Sequence, residues 1–227
     1  MTPMLQPQTL EFLNRLKENN SKEWFDQHRK QYDSAKTDVV NLVQEVLVSL
    51  ELHDPAIAAS QLKAKSCLFR INRDVRFSAN KSPYKTNFGA WLNAGGKKSA
   101  SAGYYLNIEP GRSFIAGGMY MPESAVLVKI REEIDYNLLD FEALLAKPSF
   151  QKVFKDISRE NTLIRPPKGY EADNPAIDYL KLKSFTASHQ LTDGALTSPD
   201  LAKIIVSAFA GLQPLVEFLN KGLVQAE

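Results

Sequence analysis

Residues 88–121 read FGAWLNAGGKKSASAGYYLNIEPGRSFIAGGMYM, and here the period of the chain changes. Phe88, Ala90 and Leu92 alternate with Gly89, Trp91 and Asn93. Gly95-Gly96-Lys97-Lys98 reads as a solvated hairpin loop; it lacks the earlier glycine and the Ser/Thr after lysine that a phosphate loop needs. Tyr104, Leu106 and Ile108 then alternate with Tyr105, Asn107 and Glu109, Pro110-Gly111 signals a turn, and Phe114 to Met121 forms a further strand. Successive side chains point to opposite faces of a strand, so this pattern predicts an antiparallel meander of at least three strands over residues 86–121. One face is apolar and the other carries Tyr105, Asn107 and Glu109. Gly117-Gly118 reads as a bulge in preference to a close ligand approach.

Helices flank the meander on both sides. Before it, Leu10, Leu13 and Leu16 recur at helical spacing. Asn20 and Glu23 resemble a capping box for a second helix with Trp24, Phe25, His28 and Tyr32 on its apolar side. Val39, Val43, Val46 and Leu50 stripe a third from Asp33 onward, and Cys67 to Ile71 reads as a strand. After the meander, Leu127, Ile130 and Ile134 mark a helix with Arg131 near its edge, and Asn137 begins a short one. Ser149 is expected to cap another through Val153, Phe154 and Ile157. Asn174-Pro175 opens a short helix after a loop, and Phe185, Ala187, His189 and Leu191 alternate as a strand that places His189 in the core. Ser198-Pro199-Asp200 starts a helix through Ile204, Ile205 and Phe209, which Gly211 divides from Leu212, Leu215, Val216 and Leu219. Helices, meander, helices without a repeat or linker define an α+β class in one domain over residues 1–227.

The charge is sorted along the chain. Residues 55–108 hold nine Lys/Arg and one Asp, or +8, whereas residues 1–54 sum to −3 and residues 109–227 to −3, giving the net +2. Gathered like charges imply something negative opposite them. Arg70, Arg73, Arg76, Lys81 and Lys85 crowd against a single acid, Asp74. Arginine offers a planar fork for carboxylate or phosphate and lysine a mobile point charge. Pro83 favours a turn that brings Lys81 and Lys85 to opposite sides of one loop. Tyr84 and Tyr105 are expected at the wall of the resulting anion site, with Asp74, Glu109 and Arg131 supporting it. The same arginines have a second reading, as internal partners of Asp74, Glu109 and helix carboxylates that lock the loop to the sheet.

The stretch from Arg73 to Lys85 reads R-D-x-R-F-x-x-x-K-x-P-Y-K and resembles the signature of domain of unknown function 2461, a bacterial family. The resemblance continues through Gly103-Tyr104-Tyr105, Pro110-Gly111, Gly117-Gly118 with Tyr120 and Pro122, Arg131, the Pro-Pro-Lys-Gly-Tyr loop ending at Tyr170, and Asp178-Tyr179-Leu180-Lys181. It implies a cytoplasmic, single-domain α+β protein and carries no catalytic residue or cofactor over.

Other chemistries lack their residues. One cysteine, Cys67, excludes an internal disulfide and any zinc site of two thiolates, and its apolar setting reads as a buried thiol. His28, His53 and His189 have no ligand spacing, so no metal site is expected. No unbroken apolar run reaches the roughly 18 residues of a membrane span, and the N-terminus, with Pro3, Gln6, Pro7 and Gln8, shows no export signal. A cytoplasmic protein that binds an anionic small molecule, and no membrane, is the leading expectation. Any acid or base would come from Asp74, Glu109, a tyrosine or a lysine. A nucleic-acid module, using the basic residues interleaved with Phe69, Phe77, Tyr84 and Phe88, and a structural or partner-binding role stand as alternatives.

Overall fold

The computed structural model describes residues 5–224; Pro3 lies outside them. Four strands pair antiparallel in the order β1 (Phe88–Leu92), β2 (Gly103–Ile108), β3 (Ser113–Met119) and β4 (Phe185–Leu191). The register places Ala90, Leu106, Ile115 and His189 in one row and Leu92, Tyr104, Gly117 and Ala187 in the next. These rows belong to the face that the helices cover. The alternating residues Trp91, Tyr105, Ala116 and Ser188 form a row on the opposite face.

The helical elements in chain order are α1 (Pro7–Glu18), α2 (Lys22–Gln27), α3 (Arg29–Leu50), α4 (Pro55–Ser60), α5 (Ala64–Cys67), α6 (Ser124–Tyr136), α7 (Leu138–Leu145), α8 (Pro148–Gln151), α9 (Ile177–Leu180), α10 (Asp193–Leu196) and α11 (Leu201–Val224). The two long ones build the core. On α11, Leu201, Ile205, Phe209, Leu212, Leu215 and Leu219 are fully buried, and Phe209 packs its ring 5.0 Å from Tyr104 of β2. On α3, Val39, Val43, Val46 and Leu50 form the stripe that their spacing predicts, and Tyr32 stacks 6.2 Å from Phe88 of β1. Each such Leu or Phe contributes about 1.5–3 kcal/mol by leaving water. Helix α11 is also long and apolar enough to cross a membrane, but 61% of its apolar window is buried inside the fold. Its composition is that of a core helix.

Several expectations need correction. Cys67–Ile71 is not a strand: residues 64–67 take a helical turn, and only Leu68 makes an isolated bridge, to Ala90. The chain then leaves β1 to pair with itself. Asn20 does not cap α2; Ser21 does, accepting from the Trp24 N–H, which frees Asn20 for the basic segment. Helix α8 stops at Gln151, and Lys155 takes a left-handed φ of 65° before Ile157 is reached. Strand β3 ends at Met119, because Met121 turns to φ 43° and donates its N–H to Ser184 Oγ.

Glycine misled twice. Gly211 does not divide the last helix, which runs on through Gly211 and Pro214. A Cβ on Gly211 would stand 3.0 Å from the Ser149 carbonyl oxygen, so the glycine permits a close crossing. Gly117-Gly118 forms no bulge, since both pair in unbroken register with Tyr104 and Gly103. A Cβ on Gly117 would lie 2.8 Å from Leu212 of α11. The space serves a helix rather than a ligand.

His189 is the last correction. It shares its row with Ile115, yet it is exposed, with Nδ1 3.1 Å from the Val153 carbonyl oxygen. Strand β4 is one of the two sheet edges, and α11 lies across β2 and β3. Cys67 is a buried free thiol, and burial pushes its pKa up.

Candidate functional site

The basic segment folds into an arm projecting from the β1 edge. The Phe69 N–H donates to the Gly89 carbonyl, Lys85 N–H to Ile71, and Arg73 N–H to Pro83. Asn72 bridges Tyr84. These bonds satisfy backbone groups that would otherwise be left without partners where the chain reverses. Asn20 grips the returning side: its Oδ1 accepts the Tyr84 N–H and its Nδ2 donates to the Tyr84 carbonyl, both at 3.0 Å. Tyr84 itself turns into the core and stacks on Phe25 at 4.0 Å. It is not brought to the basic side chains.

The five predicted cations separate into two groups. At the arm's tip, Arg76 donates to Asp74 through Nε at 3.0 Å and Nη2 at 2.7 Å. These bonds hold the Asp74 carboxyl below its usual range, with Arg70 adding to the effect. Arg73 reaches Ser78 Oγ at 3.3 Å, and Lys81 Nζ reaches the Val75 carbonyl at 3.1 Å. Phe77 stands almost fully exposed between them. The tip is thus tied to its own backbone and its own acid.

The second group lies at the arm's root, where Lys85 meets Arg70 and Lys97. Lys85 is half-buried; burial lowers its pKa first, and the positive charges of Arg70 and Lys97 lower it further. The ammonium groups of Lys85 and Lys97 lie 5.4 and 5.5 Å from the centroid of the Phe69 ring. Lys97 also donates to the Leu68 carbonyl at 2.7 Å. Lys97 is exposed in the β1–β2 hairpin loop, as the Gly-Gly-Lys-Lys run predicts, and left-handed Gly96, at φ 73°, immediately precedes it.

These cations border the uncovered sheet face. Tyr105 lies there with ring centroids 6.3 Å from Phe69 and 5.7 Å from Phe114. A Cβ on Gly89 would stand 2.6 Å from the Tyr105 hydroxyl oxygen, so the absent side chain lets the ring lie across β1. Burial, then Glu109, raise the Tyr105 pKa. Asn87 donates to Asn107 Oδ1 at 2.6 Å. Glu109 accepts from Thr86 Oγ1 at 3.0 Å and from Arg112 Nη2 at 2.8 Å, so its charge is already answered.

Arg131 belongs to another region. It is buried on α6 and donates through Nη2 to the Leu182 carbonyl at 3.1 Å, and burial lowers its pKa. Among the described residues no hydrogen bond or ion pair joins it to the arm. Nor do three or more His, Cys, Asp or Glu side chains gather where a metal ion could be held, again among the described residues.

The class is therefore an α+β protein whose antiparallel sheet is covered by helices on one face and bordered by cations on the other. The chain belongs to the family described as "Conserved hypothetical protein (DUF2461)", whose family model matches residues 8–218. No curated protein and no solved structure matches it.

Proposed function

We propose that this protein, a single cytoplasmic α+β unit, binds a phosphate- or carboxylate-bearing small molecule at Arg70, Lys85 and Lys97. The observation that carries the reading is the company of Lys85. Its ammonium and that of Lys97 lie 5.4 and 5.5 Å from the same Phe69 ring centroid, and Arg70 adds its positive charge to this half-buried group. Such a gathering is unfavourable until an anion lies within it. Arg70 supplies a fork and the two lysines supply point charges around one group of oxygens.

The test is thermal unfolding in phosphate against chloride at fixed ionic strength. Phosphate at about ten times Kd stabilises by about 1.4 kcal/mol, an expected rise in Tm of roughly 3–6 °C for a chain of this size. Lys85→Ala and Lys97→Ala are each expected to reduce the rise, and Arg159→Ala, at an arginine paired with Asp156 away from the arm, to leave it intact. The pH dependence follows from the lowered Lys85 pKa. Below that value the charged ammonium destabilises the apo fold and attracts the anion. As pH climbs through it, the apo penalty is relieved and the attraction is lost. The phosphate-induced rise should therefore shrink before pH reaches the ordinary lysine range. A rise that survives both lysine substitutions and high pH overturns the reading.

A further inference from the structure

The charged root of the arm and the aromatic sheet face are one continuous surface, and we propose that its ligand is a nucleoside phosphate. The phosphate sits among Arg70, Lys85 and Lys97, and the base lies on Tyr105. This rests on the anion site proposed above and adds the chemistry of the rest of the ligand.

A bare carboxylate or sugar phosphate would use the cations and leave the rings idle. The rings put π surface beside the cations, with Tyr105 tilted 58° to Phe69 and 50° to Phe114. Tyr105 stands between Phe69 and Phe114, at 6.3 and 5.7 Å, and Trp91 shares its register row on the next strand. All four are at least partly exposed, and α3 and α11 cover only the other face. Gly89 is what lets Tyr105 lie across the sheet. Two ammonium groups within about 5.5 Å of the Phe69 centroid put positive charge directly at the aromatic border. Stacking tolerates any base, because each has a π face, and is worth roughly ten-fold or more in affinity per base.

The experiment is isothermal titration with the four nucleoside monophosphates, ribose 5-phosphate, the four nucleosides and a ten-nucleotide single strand. At least one monophosphate should bind ten-fold or more tightly than both ribose 5-phosphate and its own nucleoside. Tyr105→Leu, which keeps an apolar side chain in the row, and Gly89→Ala, which displaces the ring, should each remove most of that gain. The phosphate-induced rise in Tm should persist in both variants, which reports that the fold and the anion site survive. The single strand separates the two sources of this chemistry. Tighter binding than the monophosphate, falling steeply with salt, identifies a strand and overturns the inference; binding no tighter supports a free nucleotide. If ribose 5-phosphate binds as well as every monophosphate, the inference falls and the anion site stands. If neither it nor inorganic phosphate acts on the protein, both fall.

Discussion

Gly118→Ala is expected to lower the unfolding free energy by about 3–5 kcal/mol, summing backbone strain and overpacking, read as a fall in the urea midpoint at unchanged slope. Gly118 sits at φ 113°, outside the range that L side chains tolerate. An added Cβ would fall 2.0 Å from the Phe185 carbonyl oxygen on the neighbouring strand. That oxygen cannot yield freely, because Met119 pairs with Phe185 and Gly118 with Thr186 in the β3–β4 ladder. Gly111→Ala is the comparison. Gly111 also has a left-handed φ, 74°, but a Cβ there would meet nothing within 4 Å. It should cost about 1–2 kcal/mol, the strain alone. Equal losses at the two positions would show that close strand packing is not what requires Gly118.

Asp54→Ala carries the second large effect, about 2–4 kcal/mol as a lost cap plus an orphaned buried hydroxyl. Asp54 is buried and works at two places. Its Oδ1 accepts the N–H groups of Ala56 and Ile57 at 2.9 and 3.1 Å, capping α4. Its Oδ2 accepts the Tyr104 hydroxyl at 2.6 Å inside the core. Burial first, and then Asp54, hold that hydroxyl protonated far above the ordinary tyrosine range. Tyr104→Phe should cost less than Asp54→Ala, because the carboxylate keeps its capping role. In the double variant the losses should fall short of additive, since the two groups share one bond. Strict additivity, or an Asp54→Ala loss below about 1 kcal/mol, would refute this account. Arg76→Ala gives the contrast: its pair with Asp74 has side chains 76% and 46% exposed, and it should leave the midpoint unmoved.

That contrast bears on the two readings of the basic segment. Charge counting along the chain located it, because excess charge is additive and needs no coordinates. Counting could not divide Arg70 and Lys85 from Arg73, Arg76 and Lys81. The division depends on where the arm reverses, and the reversal is fixed by Asn20, 64 residues away from Tyr84. Lys97 escaped for the same reason. It enters the site only because Leu68 bridges Ala90 and offers it a carbonyl.

The α+β class, the antiparallel meander, the apolar stripe of α3 and the region of excess charge were all legible along the chain. All of these are periodic or summed properties of neighbouring residues. Which residues meet depends on the fold as a whole. Phe88, Ala90 and Leu92 announce a strand by alternation, but alternation is silent about which face helices cover. His189 alternates as a core residue and is nevertheless exposed, while Ala187 and Leu191 on either side of it on the same face are buried. Gly117, Gly118 and Gly211 are the same residue in the sequence and serve three contacts: a leucine side chain, a strand carbonyl and a helix crossing. At each of these three positions a Cβ would find no room, and what fills the space is set by a distant part of the chain.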